Sequence, residues 1–254
     1  MSLSILKTTL LIIITSLCFA SCKKDKTSEL GNNTSEIPQC SIQFYVTVKS
    51  NNLSVIWDSL NNINAAGNIY SINKLNLFIA NISLKKDDGT IYKNNKIYYV
   101  NPRLNTKNSF QLDSIPIGNY IEFSCIMGID SLRNVSLGLE STVDNINMAW
   151  PNGMGGGYHF IKMEGHYIDT AGIVRGYAVH LGKNENLVKI KLTKSLSLIN
   201  KIHNCSLVFN TNEMFQNPYV YNLNFEKNYT MSDSISMSKI KVNSQDVFTL
   251  IQNN

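Results

Sequence analysis

SIQFYVTVKS, residues 41 to 50, decides the fold class. Ile42, Phe44, Val46 and Val48 fall at every second place, with Gln43, Tyr45, Thr47 and Lys49 between them. Successive strand side chains point to opposite faces, so this period of two buries one face and wets the other. The pattern recurs downstream. KLNLFIANISL (74–84) alternates Leu75, Leu77 and Ile79, then slips phase at Ala80-Asn81, as a bulge requires. KIYYV, SFQL, NYIEFSCIM, GYHFIKMEGHYI, IVRGYAVHL, LVKIKL, CSLVF and VYNLNF read in the same way. Turn chemistry separates them at Asp87-Asp88-Gly89, Pro116-Ile117-Gly118 and Thr170-Ala171-Gly172. About ten short strands without a long amphipathic helix predict an all-β protein, an antiparallel β-sandwich or open barrel. Short C-terminal helices are expected over 233–241 and 245–251.

The chain outside this pattern fixes where the protein is expected to live. It opens MSLSILKTTLLIIITSLCFASCKKDK, in which Lys7 precedes an apolar run over 8–20. That run is too short to span a bilayer and has the length of a signal-peptide core. Phe19-Ala20-Ser21-Cys22 resembles the lipobox of bacterial lipoproteins, with Phe19 where leucine is preferred. Residues 1–21 are therefore expected to be a leader, and Cys22 the lipidated first residue of the mature protein. Acyl chains contribute about 0.8 kcal/mol per buried methylene, enough for several to tether the protein stably. Residues 22–38 are polar and read as a flexible stalk, which leaves 39–254 as one β domain. The acidic residue in CKKD is reminiscent of surface-export signals in Bacteroidetes-type lipoproteins. The expected location is the bacterial outer membrane, facing either the periplasm or the cell surface.

The formal net charge is +5, and no basic run extends beyond Lys23-Lys24. Nucleic-acid binding needs a concentrated basic stripe, so it is not expected. Of five cysteines, Cys18 leaves with the leader and Cys22 carries lipid. Cys40, Cys125 and Cys205 remain, an odd number that allows one intramolecular bridge at most. Cys125 lies in the apolar strand YIEFSCIMGID as a small buried hydrophobe, so Cys40 and Cys205 are the expected pair. Without CxxC or another close cysteine pair, a zinc knuckle or thioredoxin motif is excluded.

The stretch NMAWPNGMGGGYHFIKMEGHY (147–167) gathers His159, His166, Trp150, Met148, Met154 and Met163 in a chain with four histidines and two tryptophans. Residues 157–169 and 173–181 should pair as an antiparallel hairpin about Ala171-Gly172. His159 and His166 are seven apart, an odd separation that places them on opposite strand faces unless Gly165 marks a bulge. If Asp169 pairs with Ile173, His180 lies opposite Lys162 and shares the face of His166. A register different by one residue places it opposite Ile161, on the face of His159. Either way His166 is several residues from His180 along the strands, so the compact pair is His159 with His180. The glycine-rich loop lets Trp150 fold back beside His159. Imidazole suits copper and thioether sulfur suits the cuprous ion, so two histidines with a loop ligand would make a low-coordinate copper site, the methionines being conceivable soft additions; the competing reading is that these strand histidines are structural, hydrogen-bonded residues. No nucleophile elbow, phosphate loop or HExxH motif is present, and the protein is not expected to be an enzyme.

LNLFIANISLKKDDGTIY, YYV, LDSIPIGNYIEFSCIMGID, MAWPNGMGGGYHFIKMEGHY and GYAVHLG follow one another in the order seen in MbnP-like proteins. The resemblance to this methanobactin-linked family runs from about Ser41 to Phe248, the block of Trp, GY, EG and HLG being its most specific part. It implies a β-rich single domain that binds copper outside the cytoplasm. It also implies that a tryptophan, here Trp150, is converted to kynurenine in some members by a dihaem peroxidase-like partner enzyme and then helps hold copper. His180 matches the histidine of the family's His-x-Gly segment, and His159 and His166 match positions that are histidine in some members. Two departures stand out: Asn152 replaces the second tryptophan of the Trp-x-Trp motif, and Val46 stands where the first strand often carries histidine. The expected function is thus a lipid-anchored copper-binding protein acting in uptake, storage or delivery. The alternative is a non-catalytic surface lipoprotein that binds protein or glycan through Tyr158, Tyr167 and Tyr177.

Overall fold

Alternation at the amino end produces the strand it predicts. In β1 (Gln39–Ser50) Cys40, Ile42, Phe44, Val46 and Val48 are buried, while the residues between them are half-buried or exposed. The structure is a computed structural model that describes residues 38–253. The expected leader, the Cys22 lipid site and the stalk, apart from its last residue, lie outside the described residues. No helix among the described residues is long and apolar enough to cross a membrane.

After β1 come three two-residue strands, β2 (Leu53–Ser54), β3 (Asn62–Ile63) and β4 (Ile69–Tyr70). The long strands β5 (Lys74–Lys86), β6 (Ile91–Val100), β7 (Ser109–Pro116) and β8 (Gly118–Met127) follow. A short helix α1 (Val143–Asn147) precedes β9 (His159–Ile168) and β10 (Val174–Gly182). The chain ends with β11 (Val188–Leu198), β12 (Ile202–Asn210), α2 (Ser234–Asn243) and β13 (Phe248–Asn253). Nine of the ten expected strands are present, and β2, β3, β4 and β13 are additional.

Two sheets result. The smaller runs β13-β12-β1, with both β2 and β7 on the far edge of β1. The larger runs β11-β8-β5-β9-β4-β3, with β6 on the other edge of β5 and β10 on that of β9. β1 and β12 are parallel, whereas the other strand pairs of the two sheets are antiparallel. Phe44 joins the layers: its ring stacks on Phe110 of its own sheet at 5.1 Å and meets Phe123 of the other at 5.5 Å. Fully burying each such ring contributes roughly 1.5–3 kcal/mol. The phase slip in β5 is also present. Asn81 has φ 50°, and the register to both neighbouring strands shifts just after Ala80.

Some expectations are corrected. Residues 233–241 contain α2, whose N-cap Asp233 accepts from the Ser236 amide at 2.9 Å, but 245–251 is mostly the strand β13. There Phe248 and Leu250 are buried at alternate places against β12. VYNLNF (220–225) is not a strand. Asparagine side chains take its backbone groups instead: Asn64 donates to the Tyr221 carbonyl and Asn68 accepts from the Leu223 amide. Cys40, Cys125 and Cys205 are all free and buried. The parallel register sets Cys205 opposite Phe44, four places along β1 from Cys40 and so about 13 Å away, which rules out the expected bridge. Tyr158, Tyr167 and Tyr177, the expected contact residues of the alternative reading, are buried. Tyr177 donates its hydroxyl to the Ser71 carbonyl and Tyr158 accepts from the Leu139 amide.

Candidate functional site

The β9–β10 hairpin is closed by Asp169, whose Oδ1 accepts from the amides of Ala171 and Ile173 at 2.9 and 2.8 Å, and by Gly172 at φ 77°. The Asp169 amide donates to the Ile173 carbonyl, and His180 lies opposite Lys162. A regular ladder in this register would group His180 with His166 and leave His159 on the opposite face. The ladder is not regular. Leu181 pairs with Ile161 but Gly182 pairs with His159, so Phe160 is an extra residue in β9. This bulge reverses the phase and turns His159 to the face of His180. The bulge expected at Gly165 is instead near the start of the strand.

The two imidazoles meet edge to face, with ring centroids 4.9 Å apart and an interplanar angle of 89°. Trp150 also packs on His159, its ring centroid 4.7 Å from that of the imidazole. All three residues are buried. Nδ1 of His159 is 3.1 Å from the Met148 carbonyl oxygen, which can only accept, so Nδ1 carries the proton. Burial, reinforced by the neighbouring His180, lowers the His159 pKa to about 4. The ring is therefore neutral at pH 7 and Nε2 keeps its lone pair. That nitrogen is buried without a hydrogen-bond partner among the described residues, a state that costs about 1–3 kcal/mol.

The same face carries a polar row across three strands. Directly opposite residues in an antiparallel pair share a face, so Asn76 of β5, Lys162 of β9 and His180 of β10 stand side by side. Asn76 Oδ1 is the other buried side-chain atom without a partner among the described residues. One row further along β9, Glu164 accepts from Lys74 Nζ at 2.7 Å and lies 3.0 Å from His180 Nε2. These hydrogen bonds, that of His180 first, hold the Glu164 carboxyl down at about 2. Lys162 donates to the Asn147 carbonyl at 3.1 Å, and its burial lowers the ammonium pKa.

Other sequence candidates stand apart. His166 is exposed and opposite Gly176, four places along the strand from Lys162 and so about 13 Å from the His180 row. Met163 is opposite Val179 and Leu75 on the core face, which removes it as a soft donor. Val46 is buried in the core and Asn152 accepts from Ser136. Among the described residues no group of three or more His, Cys, Asp or Glu side chains is placed to hold a metal ion.

Gly182 entered the sequence reading only as the last residue of HLG, with no role given to it, and Asn76 only within KLNLFIANISL. A Cβ on Gly182 would lie 2.3 Å from Trp150 Cε3, so the indole rests on bare backbone. The Gly following His180 in HLG is the trace of that seat. Trp150 also donates its indole N–H to the Met154 carbonyl at 3.3 Å. With Leu139, Ile146, Pro151 and Tyr158 it lines a cleft of about 370 Å³.

The arrangement brings together two imidazoles, one of them with a lone pair that no neighbour uses. Neutral imidazole with Nδ1–H on a backbone carbonyl and a free Nε2 is the state in which histidine ligates metals. The unpartnered Nε2 of His159 fits such a group.

The family model described as MbnP matches residues 38–243. Among solved structures, MbnP from Methylosinus trichosporium superposes with a TM-score of 0.54 at 10% identity, covering 84% of this chain and 99% of that one. At that identity the likeness concerns the fold alone. Comparison with curated proteins gave no match.

Proposed function

The chain belongs to the MbnP family, and from that premise we propose that it is an exported, lipid-anchored protein that carries copper as the cuprous ion. His159 and His180 are the proposed ligands, and Trp150 packs against His159. The observation that carries this reading is the buried, neutral and unpartnered Nε2 of His159, 4.9 Å between ring centroids from a second imidazole. A donor left without a partner in a dry site is stabilised by an ion that replaces the missing bond. Imidazole suits copper among other metals, and a buried, aromatic surround penalises a divalent ion more than a monovalent one. Binding, not turnover, is the proposed role.

Trp150 is proposed as the residue that a dihaem peroxidase-like partner oxidises to kynurenine, which would give the site a further donor. The anchor is proposed to be lipid on Cys22, which holds the domain to the outer membrane through the stalk.

Copper analysis of the full chain recovered from an envelope fraction tests the reading. The expected result is copper in the native protein, lost in His159→Ala and His180→Ala and retained in His166→Ala. Equal copper in the first two variants and the parent protein would remove both imidazoles from the site. Intact-mass analysis of the peptide carrying Trp150 checks the modification independently.

A further inference from the structure

Glu164 is the only carboxylate in β5, β9 and β10. Its two oxygens are divided between two partners. Oε2 takes the ammonium of Lys74, directly opposite on β5, at 2.7 Å, and Oε1 lies 3.0 Å from Nε2 of His180. A carboxylate anchored by an ammonium stays ionised and can only accept, so the hydrogen of that second contact belongs to the imidazole. A neutral ring with its proton on Nε2 has one lone pair left, on Nδ1. His159 has the opposite arrangement, with its proton on Nδ1 and its lone pair on Nε2.

We propose that Glu164 is a positioning residue that fixes the tautomer of His180, so that the pair presents unlike nitrogens, Nδ1 of His180 and Nε2 of His159. This rests on the reading that the two imidazoles take an ion. A carboxylate behind a ligating imidazole orients the ring and makes its lone pair a stronger donor. Charge adds a second reason. Lys74 and Lys162 both present ammonium groups on this face, and Glu164 is the one carboxylate that these three strands set against them.

The test is nitrogen-15 spectroscopy of histidine side chains in the metal-free full chain at pH 7.5. The expected spectrum shows His180 protonated on Nε2 and His159 protonated on Nδ1. In Glu164→Ala the His180 signals should move to a mixture of tautomers while those of His159 stay in place. Glu164→Gln, whose amide oxygen still accepts, should keep the Nε2–H form. Titration with cuprous ion against a chelator should then give an affinity roughly 10–100-fold lower for Glu164→Ala than for the parent, with Glu164→Gln between them. A parent spectrum with His180 protonated on Nδ1 would overturn the proposal even if no variant folds. So would an Ala variant with an unchanged His180 spectrum. Should the parent bind no copper while the tautomers behave as stated, the copper reading fails and the positioning role of Glu164 stands.

Discussion

Gly182→Ala tests whether the Trp150 seat is as tight as the geometry says. The added methyl would lie 2.3 Å from Cε3 and 2.5 Å from Cζ3 of the indole. Ordinary contact begins near 3.4 Å, so the ring must retreat by about 1.1 Å. Retreat is obstructed, because His159 packs against the indole at 4.7 Å and the indole N–H is tied to the Met154 carbonyl. Overpacking of this kind costs about 1–3 kcal/mol. Trp150→Leu alone removes a buried ring and leaves a void, at a cost of about 2–4 kcal/mol. Combined, the two changes share one space: the smaller leucine makes room for the methyl, and the methyl fills part of the void. The double variant should therefore be more stable than the sum of the single changes predicts, by roughly 0.5–3 kcal/mol. Urea unfolding of the four metal-free proteins followed by circular dichroism measures this, and a Trp57→Phe background in the parent and Gly182→Ala lets fluorescence report Trp150 alone. Additive costs within error, or an unshifted Trp150 emission in Gly182→Ala, would refute the reasoning.

Acid should destabilise the metal-free protein in two overlapping windows. His159 has a folded pKa of about 4 against an ordinary 6.5, so below pH 6.5 the unfolded chain takes a proton the folded one refuses, and stability falls until about pH 4. Glu164, at about 2 against 4.5, contributes stability that is complete above pH 4.5 and lost as the pH drops toward 2. Urea midpoints measured from pH 7.5 to 3 should fall steadily, and His159→Leu should flatten the portion between 6.5 and 4 alone. Burial raises the pKa of the Cys40, Cys125 and Cys205 thiols. All three should be inert to a thiol reagent in the native protein and react without prior reduction in denaturant; a protected Cys40–Cys205 pair would contradict the register of β1 and β12.

The fold was legible wherever burial is one-sided. β1 shows its period of two because one face is in the core, and the β5 bulge shows because the phase of Leu75, Leu77 and Ile79 breaks at Ala80. The reading failed where short segments satisfy two periods. Val247, Leu250 and Ile251 suit a helical face, yet Phe248 and Leu250 alternate equally well, and pairing with β12 selects the strand. VYNLNF alternates correctly, but asparagine side chains from 64 and 68 occupy the backbone groups a neighbouring strand would need. At the site, the pairing of His159 with His180 was legible because His166 is too far along the hairpin in either register. The means of pairing was not. Glu164 was visible as a carboxylate near histidines, but its link to Lys74 joins residues ninety apart in the chain, and no local pattern announces it.

One inserted residue decides whether the two imidazoles meet. The register opposite His180 is that of a regular hairpin up to Leu181 and Ile161, and continued without a bulge it would return His159 to the core face with Ile161 and Met163. Phe160 takes that core position instead and is fully buried. Its ring fits because Gly128, at φ 133°, has no side chain: a Cβ there would lie 2.7 Å from Phe160 Cγ and 2.8 Å from Leu187. Both the conformation and the space at 128 therefore require glycine. Freed to the other face, His159 is caught by a single oxygen, since the Met148 carbonyl accepts its backbone amide at 2.7 Å and lies 3.1 Å from its Nδ1. That double capture fixes the ring and leaves Nε2 as the end that must find another partner. The chemistry at His159 thus follows from packing at Gly128, where no ligating atom is present.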